Sequence, residues 1–257
     1  MRFSVLGLVS VSNGAETVVL PPSKPTALLG ALLLRPNETV PAGYLQSVVW
    51  ETSPPTTAKA TLQSYVLRVR RLFRQFDPGA NVIETVPGGY RFPATAATLD
   101  LVEFRELVSQ ASAAPDPYRE LETLRRGLAL WRGQPLANLP SGRLQRDELP
   151  CLTEEWLRAA ERRFDLELEL GRHREVTGEL RTAVRQHPGY ERFWEQLIES
   201  LYRSGRQAEA LGEYGNVKRH LRDELGIDPG ARLQRLELAI LRGDEPAVHA
   251  ESEWGAR

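Results

Sequence analysis

The chain has 257 residues, 41% of them hydrophobic and 26% charged, which suits one large or two ordinary packed domains and not a disordered or fibrous chain. Its formal net charge of −1 hides an asymmetry: residues 1–95 hold nine Lys/Arg against five Asp/Glu, a surplus of +4, so the remainder carries −5. One cysteine, Cys151, excludes an intramolecular disulfide and a cysteine-rich metal centre, which fits a cytoplasmic location, and the longest strongly apolar run (27–34) is too short to cross a bilayer.

Residues 2–11 and 16–20 alternate apolar and polar around Asn13-Gly14, which predicts a β-hairpin. PPSKPTALLGALLLRPN predicts a helix with Ser23 as N-cap, Pro25 in the first turn and Pro36-Asn37 as the stop. A second helix is predicted over 42–50, a loop at ETSPP, and a third helix from about Thr57 to Phe76, ended by DPG. VIETVPGGYRF predicts two short strands around Pro87-Gly88-Gly89. The expected order is therefore ββαααββ within 95 residues, followed by a linker at 93–98.

After the linker, helical periodicity runs over 100–113, 117–132, 147–170, 173–187, 190–203, 206–225 and 229–242, with Asp100 and Glu103 as a capping box at the first start. GRHREV (171–176) and GRQAEA (205–210) stand 34 residues apart. Trp194, Leu197, Gly205, Ala210 and Tyr214 match the tetratricopeptide template, and Ala160, Gly171, Val176, Leu180, Ala183 and Pro188 supply an earlier copy. The expected fold is mixed and mainly α. An α+β winged helix-turn-helix (1–95) precedes an all-α tetratricopeptide-like domain (96–245) and a flexible tail (246–257).

On a helical wheel of the third helix, Leu62, Val66, Val69 and Phe73 share one narrow arc, flanked by Tyr65 and Leu72, which predicts the core stripe. Opposite lie Thr57, Thr61, Ser64, Arg68, Arg71 and Gln75, with Lys59 and Arg70 on a flank. An ordinary solvated helix mixes acids and bases for i,i+4 pairs; no acid occurs between Thr52 and Phe76. Small hydroxyl residues allow close approach to base edges, and guanidiniums grip phosphate or fork onto guanine. A wing with Arg91 follows directly.

VLPPSKPTALLGALLLRPNETVP, TLQSYVLRVRRLF, TVPGGYRF and LYRSGRQAEALGEYGNVKRHLRDELGIDPGARLQRLELAIL together resemble the Streptomyces antibiotic regulatory proteins (SARPs), over about residues 2–243. The resemblance implies an OmpR-type winged helix and a bacterial transcriptional activation domain. It also implies an activator of an antibiotic biosynthetic gene cluster that binds tandem direct repeats of double-stranded DNA near the promoter −35 region, as a homodimer on DNA, and recruits RNA polymerase holoenzyme with its sigma factor. On this likeness Thr61, Ser64 and Arg68 read the major groove and Arg70, Arg71 and Arg74 hold phosphates, with Thr57, Lys59 and Tyr65 completing the helix surface. Gly88, Gly89 and Arg91 of the wing meet the backbone or minor groove, and Lys24, beside Ser23 at the first helix N-terminus, holds a phosphate. Trp50, Glu51, Thr52 and Ser53 are the expected polymerase contacts. Val69 departs from the leucine expected at that core position and is read as repacking. The sequence has no G-x4-GK[ST] loop, and with no receiver domain ahead of the winged helix nothing indicates activation by aspartyl phosphorylation; no cofactor is expected.

An enzyme is disfavoured: His173, His187, His220 and His249 are scattered without ligand spacing, and Cys151 has no histidine near it in sequence. A repeat scaffold that binds protein partners without reading DNA is the alternative, with Trp131, Trp156 and Trp194 as groove-lining candidates. A fragment ending near Pro93 is expected to fold alone.

Overall fold

The computed structural model describes residues 1–76, 82–139 and 141–244. The tail expected at 246–257 and the DPG helix stop lie outside the described residues. The described chain divides into two compact units, 1–159 and 160 onward.

In the first unit, β1 (Arg2–Ser4), β2 (Ser10–Ser12) and β3 (Thr17–Val19) form an antiparallel sheet in that order. The predicted hairpin is present as β2 and β3, with Asn13 Oδ1 accepting the Ala15 and Glu16 N–H groups and Gly14 at φ 94°. The long first strand is interrupted instead. Residues 5–9 leave the sheet because Val5, Leu6 and Gly7 give their carbonyls to the N–H groups of Leu136, Arg132 and Ala137. Sequence periodicity cannot show this, since the partners lie more than 120 residues away.

Helices α1 (Lys24–Leu34), α2 (Ala42–Trp50) and α3 (Ala58–Phe76) follow, with a short strand β4 (Thr39–Pro41) between the first two. Ser23 caps α1 by accepting Thr26 N–H at 3.3 Å. Strand β4 went unrecognised because three residues carry no periodic signal; it pairs with β6 (Gly89–Arg91), which pairs with β5 (Glu84–Val86). The core stripe of α3 is buried at Leu62, Val66, Val69 and Phe73, and Phe3 meets Phe73 and Phe92 edge-on at 4.9 and 5.1 Å. Leu72 is a correction: it is 39% exposed and no part of that stripe.

Helices α4 (Asp100–Ser112), α5 (Pro117–Leu128), α6 (Gly142–Asp147) and α7 (Leu149–Glu169) continue the chain, and the boundary between the units falls within α7. The packing divides there because residues 96–159 close over β1 and the 5–9 segment. Asp100 is not the N-cap of α4; Leu99 holds that place. The Asp100 carboxylate, 3% exposed, instead accepts the N–H groups of Val5 (2.9 and 3.0 Å) and Leu6 (3.2 Å). Glu103 pairs with Arg2.

In the second unit, α8 (His173–Gln186), α9 (Glu191–Arg203), α10 (Gln207–His220) and α11 (Ala231–Arg242) form antiparallel hairpins with the 34-residue period. Gly171 and Gly205 both take φ 77°, the left-handed turn that opens each copy. Val176 matches Ala210 and Leu180 matches Tyr214, all buried. The helix predicted to run to 225 ends as a π turn at Leu221–Leu225, closed by Gly226 at φ 69°. Charged residues knit the hairpins: Arg192 bonds Asp165 and Glu195 at 2.5 and 2.8 Å, and Arg181 reaches Glu209 at 2.9 Å.

Candidate nucleic-acid interface

Proline at 54 and 55 bars an earlier helix, so α3 begins where Ala58 N–H meets the Pro55 carbonyl at 2.9 Å. Burial of its stripe then turns the remaining residues outward. Thr57, Lys59, Ser64, Arg68, Arg71 and Arg74 are exposed and Thr61 is half-buried. Thr57 and Thr61 hydroxyls lie 3.4 Å apart, and Ser64 Oγ donates back to the Ala60 carbonyl at 3.1 Å, so these side chains hug the helix and keep its surface low. Among the described residues no ion pair engages Lys59, Arg68, Arg71 or Arg74. Several arginines of the second unit, in contrast, pair with neighbouring carboxylates, among them Arg163, Arg181, Arg192 and Arg203.

Arg70 points elsewhere. Its Nε and Nη2 donate to the Ile83 carbonyl at 2.9 and 2.6 Å, and Nη2 also reaches Thr85 Oγ1 at 2.9 Å. It fastens β5 to α3. Arg91 pairs with Glu84 across the wing at 2.6 Å, and Arg70, Arg74, Glu84, Thr85, Val86 and Arg91 line an open cleft between helix and wing. Gly88 is the exposed wing tip at φ 84°. Gly89 is not at the tip: it is buried in β6, where a Cβ would run into the Val40 carbonyl, so its role is to let β4 and β6 approach.

The structure gathers Lys24, Trp50 and Tyr65, which the sequence assigned to different partners. Trp50 stacks on Tyr65 with ring centres 6.0 Å apart and planes at 22°, and the Lys24 ammonium lies 5.7 Å from the Trp50 ring. Glu51, at φ 50°, turns its carboxylate onto the Gly142 N–H at 2.8 Å, while Ser141 Oγ donates to the Val48 carbonyl at 3.3 Å. The α2–α3 loop is therefore held at Glu51 by the start of α6, and Thr52 and Ser53 are exposed. Glu148 gathers Arg35 (2.6 Å) and the Tyr44 hydroxyl, and burial together with that carboxylate pushes the Tyr44 phenol upward.

Leu67 was missed by periodicity. It belongs to neither the core arc nor the polar set, and it is 57% exposed. Its i−4 and i+4 neighbours, Gln63 and Arg71, were the available signal. Among the described residues no group of His, Cys, Asp and Glu forms a metal site, and no helix is long and apolar enough to cross a membrane.

Residues 16–92 match the family described as "Transcriptional regulatory protein, C terminal", and residues 99–241 match "Bacterial transcriptional activator domain". Regulatory protein AfsR of Streptomyces griseus is 38% identical over 98% of this chain, which spans 26% of that protein. Regulatory protein DnrI of Streptomyces peucetius is 34% identical over 95% of this chain and 93% of its own length. A solved structure of Mycobacterium tuberculosis EmbR, in complex with a low-affinity phosphopeptide, superimposes with a TM-score of 0.87 at 32% identity, covering 96% of this chain and 66% of that one. With both domain families in this order and a relative matched over nearly its full length, the chain belongs to the SARP family of transcriptional regulators.

Proposed function

We propose that this chain is a sequence-specific activator of a secondary-metabolite gene cluster, working in the cytoplasm without catalysis. Residues 1–95 carry DNA binding: α3 enters the major groove with Thr61, Ser64 and Arg68 toward base edges, Arg71, Arg74 and Lys59 hold phosphates, and the Gly88 tip and Arg91 follow the neighbouring backbone. Arg70 acts by fixing the wing. Residues 96–245 carry activation, pairing two copies on tandem direct repeats near the −35 region and engaging RNA polymerase holoenzyme with its sigma factor. Thr52 and Ser53 are the polymerase-facing part of the α2–α3 loop. The observation that carries the reading is the run of exposed arginines on α3, a helix without a single acidic residue, which no ion pair engages among the described residues.

The test is a genome-wide footprint of the bound protein, then titration of the protected duplex at several salt concentrations. About six neutralised phosphates per protomer give a log–log slope of roughly −5. Binding that ignores salt, or protection without sequence preference, removes the reading.

A further inference from the structure

We propose that Leu67 is a specificity-determining residue that reads the C5-methyl group of a thymine in the major groove. The inference rests on the DNA-binding reading of α3 given above. Single exposed leucines are ordinary on protein surfaces. The company of Leu67 is what distinguishes it. At 57% exposure it stands among Ala60, Gln63, Ser64, Arg71 and Arg74, which lie three, four or seven residues away and share its face. Ser64 is folded back onto the Ala60 carbonyl and Ala60 has no reach, so Leu67 is the large apolar side chain presented between the low polar half of the helix and its arginine half.

Charge complementarity selects the occupant. A protein partner seated on an apolar residue ringed by Arg71 and Arg74 must bring carboxylates to it, whereas a duplex brings phosphates to the arginines and presents one apolar group on its major-groove edge, the thymine methyl. Leu72, the other exposed leucine of α3, lies at the flank beside Tyr65 and Arg68, away from this ring.

Replacing thymine by uracil deletes that methyl and leaves base pairing intact. The full chain is titrated against the duplex it protects, with each thymine of one repeat replaced in turn. At one position uracil should weaken binding roughly fourfold, the scale of one buried methyl-sized group. The Leu67→Ala protein should bind the thymine and uracil duplexes equally there, with an unchanged salt slope. Wild-type indifference to uracil at every position overturns the proposal, and so does a full thymine preference retained by Leu67→Ala. If that variant keeps the thymine preference yet loses promoter activation, Leu67 is a protein contact and the proposal is wrong. Loss of all sequence selectivity in the wild type would instead remove the DNA-binding reading on which it stands.

Discussion

Arg68 and Arg35 carry the same group in opposite surroundings. Arg35 gives Nε and Nη2 to Glu148 at 3.0 and 2.6 Å and lies 4.3 Å from the Tyr44 ring centre, joining the end of α1 to the α6–α7 junction. Arg68 is exposed on α3 with no carboxylate beside it among the described residues. Arg35→Ala should therefore lower stability by about 1–2 kcal/mol, through a partly buried charged hydrogen bond, and leave DNA affinity per folded molecule unchanged. Arg68→Ala should leave stability alone and cost about 1–3 kcal/mol of binding, with relaxed selectivity at one base pair if it forks onto guanine. Denaturation and duplex titration of both variants check this. Equal binding losses in the two would mean that the wrong face of α3 has been chosen.

At the scale of elements, Asp100 and the histidines at the two ends of α8 show what burial decides. Asp100→Ala leaves the Val5 and Leu6 N–H groups buried without their carboxylate, so α4 loses its fastening to the 5–9 segment. A drop of about 2–4 kcal/mol, seen as a lower urea midpoint with the slope kept, is expected; an unmoved midpoint would show that these bonds contribute little. Burial, with Arg203 beside it, holds His173 below its ordinary 6.5, and burial does the same for His187. Their native state resists protonation, so the stability they contribute is present above pH 6.5 and is lost as pH falls through their lower native values. Burial raises Glu195 from 4.5, which acts in the opposite direction. The melting temperature should therefore fall between pH 7.5 and 5.5, and less so in a His173→Gln/His187→Gln double variant; equal falls would point to other groups. The same elements mark what could be read from sequence. The α3 stripe, the Ser23 cap and the 34-residue repeat depend on local spacing and were legible. Asp100 and Glu103 carry a capping-box spacing, yet Asp100 serves the 5–9 segment 95 residues away, and no local pattern encodes that. Arg70 and Gly89 were likewise legible as part of a basic helix and a turn, but their partners Ile83 and Val40 appear only once the wing is folded.

For the whole molecule, these long-range bonds change what can be cut away. The fragment ending near Pro93 loses the Thr98 carbonyl that accepts Phe3 N–H at 2.8 Å, the Asp100 carboxylate, and the backbone of 132–137 that satisfies residues 5–7. It also loses Asn138, whose side chain bonds Val9 and the Leu20 carbonyl, and Glu148 under Arg35. Val5, Leu6 and Val9, all buried in the full chain, would face water along with backbone groups that have no partner. Residues 1–93 should therefore melt without a sharp transition and aggregate, whereas residues 1–170 should melt cooperatively and bind a single repeat. The longer fragment lacks the repeat hairpins α8–α11, which on the proposed function offer surface to other proteins and, on tandem sites, raise the effective concentration of one copy near the next. It should accordingly fill two repeats independently and fail to activate transcription in a reconstituted assay, where the full chain should bind them cooperatively and activate. A 1–93 fragment that melts as sharply as 1–170 would show that residues 96–159 are dispensable to the winged helix. Full activation by 1–170 would move the activation function out of the helical repeats.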